Sequence, residues 1–474
     1  MKILKRILLK QWFIVTLLAT SAGCSRHELL YYVAPSVLPD TTRQMKTVGF
    51  WIARHPFPDQ VMMTSEEIQL LNQQIEKEMK LTRDIFQWPS PLVGESLKKT
   101  LVDQMNYVSQ QKFYLTNGRR LPVLDWDRFK LRSHAAPARF WQEMVESMDL
   151  DNLPKTINPQ YGVIVHYADQ RVLPTLEGLY AKPFDIDFDE LQNSTLDIGT
   201  PVVVVHTSRD GQWVYVVSKL SDGWITKDRV AMCSLDELKK NLSGAFVVAL
   251  RAKVDIFLDQ GLTEYYDYVR MGVALSSSFE EISQDVVQVV CVQRDFNGRA
   301  VFKNAYVRRK DINQGYLPYT PRQMIQQAFE LLNTPYGWGG MYGEQDCSAF
   351  LQEIFASAGI FLPRNSSQQR LVGKSLGEFE QNVLTQKKQE ILVKQGIGGM
   401  TVLGMNGHIM LFLGEVNGIP YAIHDTWAYR ERKIGKDHPR VINRVVVTDL
   451  SLGAGSKKGS LLERLKTIRV IDQE

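Results

Sequence analysis

Apolar positions change period several times along this chain. Behind Thr64-Ser65-Glu66-Glu67, Ile68, Leu71, Ile75 and Met79 recur at the spacing of one helical face. Thr64 and Glu67 form a capping-box pair that would satisfy backbone donors left free at a helix start. This texture predicts a mainly helical region over residues 24–152. From about residue 155 the chain turns to short β-type runs such as Pro201–His206, Trp213–Val217 and Gly223–Thr226. Asp210-Gly211 and Asn297-Gly298 sit between such runs where a two-residue hairpin turn is wanted. The spacing predicts two consecutive small β-barrels, over residues 153–235 and 236–312.

Residues 313–474 read as α+β. Thr320-Pro321 supplies an N-cap and a first-turn proline, and Ile325, Ala328, Phe329 and Leu332 mark a buried face that ends before Pro335. A flexible Gly337-Trp338-Gly339-Gly340 loop precedes a second helix beginning at Asp346-Cys347, with Phe350, Leu351, Ile354 and Phe355 on its apolar side. Alternation along Gly407–Gly414 would send His408, Met410 and Phe412 to one face of a strand and Ile409, Leu411 and Leu413 to the other.

Composition narrows the class. An apolar fraction of 44%, a charged fraction of 23% and a net charge of +4 over 474 residues describe an ordinary globular chain. No basic-aromatic stripe argues for nucleic acid, and none is expected as a partner. The four cysteines are too scattered for a disulfide framework or a metal motif. Cys233 and Cys291, in or beside β runs, read as small buried hydrophobes. With no phosphate-binding loop, His-Glu-x-x-His or dinucleotide fingerprint, neither cofactor nor metal is expected. At the start, Lys2, Lys5, Arg6 and Lys10 precede an apolar run from Trp12 to Ala19, too short to span a bilayer. Ser21-Ala22-Gly23-Cys24 then resembles a bacterial lipobox. Residues 1–23 are thus expected to be a signal peptide, Cys24 the lipidated residue, and the outer membrane facing the periplasm the location.

The chemistry centres on Cys347. In the first turn of a helix its sulfur meets free backbone N–H groups and the positive dipole end, which favour a thiolate and could hold an oxyanion. His408 opens an apolar strand and His424 closes the next, so on neighbouring strands His424 would orient the His408 ring.

Together Tyr336-Gly-Trp-Gly-Gly340, Asp346-Cys347-Ser348, Gly407-His408 and His424 resemble the NlpC-type peptidases of bacterial cell walls. These are permuted relatives of papain, so the resemblance implies an α+β papain-like C-terminal domain with Cys347 as nucleophile, His408 as base and His424 as orienting third member. It implies hydrolysis of the γ-D-glutamyl–diamino acid bond of peptidoglycan stem peptides, and places Trp338, Asp346 and Ser348 around the cleft. Leu191–Ser194, Gly199–Val202 and Ser208–Trp213 are similar to the first SH3-like barrel of a four-domain subgroup with an N-terminal clip domain and two such barrels. In that subgroup the first barrel walls the cleft and helps bind a free L-alanine amine on released muropeptides. Of Trp213, Tyr215 and Trp224, most belong in the barrel core; Tyr215 is the candidate for the cleft. Asn365-Ser366 stands where some relatives carry Asp-Ser, and Asn365 accepts a hydrogen bond without adding charge. A monomer is expected. The competing readings are a non-catalytic wall-binding lipoprotein and an acyl transferase on the same fold.

Overall fold

The computed structural model describes residues 32–88, 92–111, 113–116, 133–136, 138–181, 186–277, 281–380 and 383–473. The expected signal peptide and Cys24 lie outside the described residues. Among the described residues no helix is long and apolar enough to cross a membrane.

The C-terminal part is built on a seven-stranded sheet ordered Tyr32–Val33, Lys436–Asp449, Ile419–Lys433, His408–Val416, Thr401–Met405, Leu465–Val470, Lys374–Glu378. Neighbours run antiparallel except the first pair, where Tyr32 and Val33 run parallel to Arg440 and Val441. Period-2 alternation sorts the side chains as the pattern predicts. Ile409, Leu411 and Leu413 join Phe350, Leu351 and Ile354 of the helix Cys347–Ala356 in one core. Met410 and Phe412 enter a separate core with Leu392, Leu403 and Ile468. The helix Pro321–Glu330 starts as expected, with Thr320 accepting from the Gln323 N–H and Pro321 in the first turn.

Upstream, strands Gln160–Ile164, Ala168–Arg171, Gln192–Leu196, Pro201–Thr207, Trp213–Val217, Asp222–Thr226 and Val230–Cys233 form one seven-stranded sheet. Gly211 (φ +70°) turns the hairpin that pairs Val203 with Val217. A second β unit combines five strands (Lys253–Phe257, Tyr265–Arg270, Glu281–Ser283, Val286–Arg294, Ala300–Arg308) with a three-stranded sheet. Gly298 (φ +82°) turns its long hairpin. Cys233 and Cys291 are buried in a core the two units share.

The N-terminal region departs from expectation. Its helix Ser65–Gln73 carries the full capping box between Thr64 and Glu67. Yet Ile68, Leu71 and Ile75 bury against Met324, Ile325 and Ala328 in the C-terminal core. Leu97, Leu101 and Met105, on the helix Gly94–Ser109, bury instead against Trp213, Tyr215 and Trp224 of the first barrel. Among the described residues, then, the region expected to be one helical domain has its apolar faces divided between two cores belonging to other parts of the chain. An amphipathic face specifies that it must be covered, not by what.

Trp51 is the deepest N-terminal anchor, 1% exposed, with its indole N–H donating to the Met45 carbonyl at 2.8 Å and its ring 5.5 Å from that of Tyr421. Trp51→Ala is expected to lower stability by about 3–5 kcal/mol, read as a shifted urea midpoint. If the N-terminal strap were dispensable to the C-terminal core, the midpoint would not move.

Candidate active site

The helix Cys347–Ala356 starts where it does because Asp346 caps it. The Asp346 carboxylate accepts from the backbone N–H groups of Ser348 (3.0 Å) and Ala349 (2.8 Å) and from the Ser348 hydroxyl. Phe350, Leu351, Ile354 and Phe355 are fully buried, so the helix cannot shift without opening the core. Cys347 is left in the first turn. The strand His408–Val416 follows a tight turn at Asn406-Gly407, with Gly407 at φ +73° and Met405 paired to His408. The backbone N–H of Ile409, next along from His408, reaches the Cys347 sulfur.

His408 and His424 meet across neighbouring strands, Nε2 of His408 to Nδ1 of His424 at 2.7 Å, and Nε2 of His424 lies 3.0 Å from the Thr448 hydroxyl. His408 therefore spends Nε2 on His424, which leaves Nδ1 for another partner. If His408 donates through Nε2 and His424 donates onward to Thr448, Nδ1 of His408 carries a lone pair. That tautomer can take a proton from a thiol.

The electrostatics of the unliganded site run against the expectation of a helix-stabilised thiolate. Burial, then the Asp346 charge, push the Cys347 thiol well up, and the Ile409 N–H only partly offsets them. Burial, then the Arg464 charge, push His408 down to about 3. His424 is held well below its usual value by burial and then by His408. The resting pair is thus a neutral thiol beside neutral imidazoles.

Asp346 and Ser348, expected around the cleft, do not face it. Both are buried, and the Asp346 oxygens are filled by the helix cap and by Arg364, whose Nη1 and Nη2 donate at 3.1 and 2.8 Å. They set the position of Cys347 instead. Arg364 also donates through Nε to the Ser194 hydroxyl of the first barrel, at 2.9 Å. The barrel docks on the Gly-rich loop as well: a Cβ on Gly339 would stand 2.6 Å from the Gln192 carbonyl, and one on Gly340 2.5 Å from the Thr195 hydroxyl. Only glycine admits that approach.

Tyr215 is likewise corrected. It is 1% exposed, hydrogen-bonded to Asp222 and Gln104, and packed edge-on to Trp224, so no ligand reaches it. The barrel-side aromatic that packs on the peptidase side is Phe188, whose ring lies 5.4 Å from those of Trp338 and Trp427. Tyr336 completes this half-buried aromatic wall, 6.4 Å from Trp427. Asn365 is exposed and Ser366 half-buried, opening the short helix Ser366–Gln369 one residue beyond Arg364. Phe188, Trp427 and Arg364 gave no sequence signal, since each acquires its place only through long-range contacts. Nor did Asp425, beside His424, which is fully buried with neither carboxylate oxygen hydrogen-bonded to another described residue. Among the described residues no group of three or more His, Cys, Asp or Glu is placed to hold a metal ion.

A thiol at a helix start, a His–His–Thr chain on the antiparallel sheet and a β-barrel docked on the helix cap make up the site. The NlpC/P60 family profile matches residues 333–431 and an SH3 domain profile of the SH3b1 type matches residues 179–226. The chain therefore carries a C-terminal NlpC/P60 domain behind an SH3b domain. It is 34% identical over 83 residues to the gamma-D-glutamyl-L-lysine dipeptidyl-peptidase of Bacillus subtilis (strain 168), covering 17% of this chain and 28% of that one. It is 39% identical over 59 residues to the bifunctional muramidase/DL-endopeptidase CwlT of the same organism, covering 12% of this chain and 18% of that one. The chain thus spans less than a third of either relative's length. A solved NlpC/P60 endopeptidase from Photobacterium damselae subsp. piscicida shares the fold with a TM-score of 0.73 at 19% identity, over 93% of this chain and 99% of that one.

A neutral thiol predicts a particular reactivity. Alkylation of Cys347 by iodoacetamide, followed by mass spectrometry of its peptide, should be slow at neutral pH and climb continuously as the solution turns alkaline. A rate already flat between about pH 5 and pH 8 would instead mean a preformed thiolate–imidazolium pair.

Proposed function

We propose that this chain is a cell-wall endopeptidase that hydrolyses the γ-D-glutamyl–diamino acid bond of peptidoglycan stem peptides through a thioester on Cys347. The observation that carries the reading is the hydrogen-bonded chain from His408 through His424 to Thr448, set beside a sulfur at a helix start. With His408 donating through Nε2 and His424 donating to Thr448, the Nδ1 lone pair of His408 would be the proton acceptor.

In this mechanism Nδ1 of His408 takes the thiol proton as the sulfur attacks the amide carbonyl, and backbone N–H groups at the helix start stabilise the oxyanion. The imidazolium so formed is held by His424, with Thr448 accepting at the far end. His408 then hands its proton to the departing amine, and the acyl group remains on sulfur. Water attacks the thioester, gives a proton to His408 and releases the carboxylic acid and the thiol. Because the starting pair is neutral, charge separates only during attack, when the tetrahedral oxyanion is present to be stabilised. The wall of Phe188, Trp338 and Trp427 would pack against the stem peptide, with Asn365 and Ser366 at its amine end. Cys24, once lipidated, would tether the enzyme to the outer membrane on its periplasmic side.

The assay is release of the diamino acid fragment from a disaccharide tripeptide, followed by mass spectrometry. Cys347→Ala should remove turnover entirely while leaving the unfolding transition in place. Thr448→Val should lower kcat by about tenfold with KM little changed, since losing about 1.4 kcal/mol of hydrogen bonding from a buried imidazole acts on the charged transition state. Turnover surviving in Cys347→Ala would end the nucleophile assignment, and an added amine captured in the product would make the enzyme a transferase.

A further inference from the structure

The strands Ile419–Lys433 and Lys436–Asp449 form a long hairpin whose turn, Ile434-Gly435, is exposed. The tip is badly composed for a hairpin that need only fold. Ile434 is 102% exposed and sits at φ +49°, followed by Gly435 at φ +76°. Asn or Gly suits the first of two left-handed turn positions, whereas a β-branched apolar residue there is a conformational outlier and gives up its hydrophobic contacts as well. The residues that flank the turn pair Lys433 directly with Lys436, placing like charges across the ladder. An outlier retained at an exposed point calls for a use outside the fold.

The surroundings say what that use is. Exposed Arg430, Arg432, Lys433 and Lys436 line the tip, and Lys457 joins them through its backbone N–H to Asp437. Only Glu431 and Asp437 oppose them on the hairpin's last turns, and Glu431 is already engaged by Arg440 and Lys433. A fully exposed aliphatic side chain inside a ring of cations fits an anionic bilayer surface: the cations meet headgroup phosphates while the apolar tip enters the acyl boundary.

Tyr32 and Val33 run parallel to Arg440 and Val441, on a strand that leaves the tip and heads into the body. Cys24 lies only eight residues upstream, a reach of at most roughly 28 Å. A lipid carried there would hold this edge of the sheet within that reach of a bilayer. We infer that the Lys433–Lys436 hairpin tip is a membrane-contact element for anionic phospholipid, which together with the lipidated Cys24 of the preceding proposal would fix the enzyme's orientation on the bilayer.

The test uses unlipidated protein beginning at Ser25, which keeps every described residue, in flotation with vesicles of phosphatidylglycerol and phosphatidylethanolamine, with phosphatidylcholine vesicles as the neutral control. Binding to the anionic vesicles, lost on adding salt and reduced at least tenfold by either Ile434→Asp or the pair Lys433→Glu and Lys436→Glu, is expected. Muropeptide hydrolysis in these variants should be unchanged, since the tip is remote from Cys347 in the sheet. Failure of the unlipidated protein to float with anionic vesicles, or equal flotation of wild type and both variants, overturns the inference. Palmitate labelling of the full chain and of Cys24→Ser reports separately on lipidation, so the two readings fail independently.

Discussion

One buried ion pair, Asp346 with Arg364, fixes the geometry on which the site depends. Its carboxylate caps the helix that carries Cys347, and its guanidinium reaches across to Ser194 of the barrel and to the Ser348 hydroxyl. A pair this deep is not a cheap source of stability, because removing two ions from water costs about what their attraction returns. What it supplies is placement. The same contact that sets the start of the helix sets where the barrel stands. The barrel in turn brings Phe188 against Trp338 and Trp427. Gly339 and Gly340 complete the arrangement by allowing the barrel strand to approach where any side chain would collide.

Local rules carried the sequence reading as far as local rules reach. Thr64–Glu67 and Thr320-Pro321 start helices because caps are written within four residues. The alternation through His408–Leu413 sorted the two faces of its strand because pleating is local too. The pairing that brings His424 to His408 was legible only as a condition on strand neighbourhood, and the antiparallel register meets it. Partner choice was not legible. The helical face of Ile68, Leu71 and Ile75 was plain, but its cover is the core of a domain some 250 residues further on. Tyr215 failed for the same reason: a helix from the N-terminal region covers the barrel face it lies on, and Phe188, in an acid-rich loop without any periodic signal, reaches the cleft instead.

The direction of the thiol's shift shows a further boundary between local and global information. Position in a helix's first turn can be read from sequence, and it favours ionisation. Burial and the sign of neighbouring charges cannot, and both oppose it. Asp346 must stay ionised to hold Arg364, so its charge falls on every acid nearby. Glu353 is pushed up to about 8 and Asp425 well above the usual carboxylate range, burial first in each case and Asp346 among the charges that follow.

That ordering explains how so many acidic groups coexist in one buried region. Arg364 compensates Asp346, and Arg270, engaged by Asp197, lies 3.6 Å from Glu353 without a hydrogen bond to it. Asp425 has no cation within salt-bridge distance among the described pairs, so the neutral acid is its stable form. Cys347 follows the same rule. In a region whose allowance of negative charge is already taken by Asp346, a standing thiolate would be a second uncompensated anion. Burial and the Asp346 charge therefore both favour the protonated sulfur, and the His408–His424–Thr448 chain adds no charge of its own to the region. A fixed carboxylate as third member would add yet another anion to that region. A neutral histidine hydrogen-bonded to a hydroxyl avoids it.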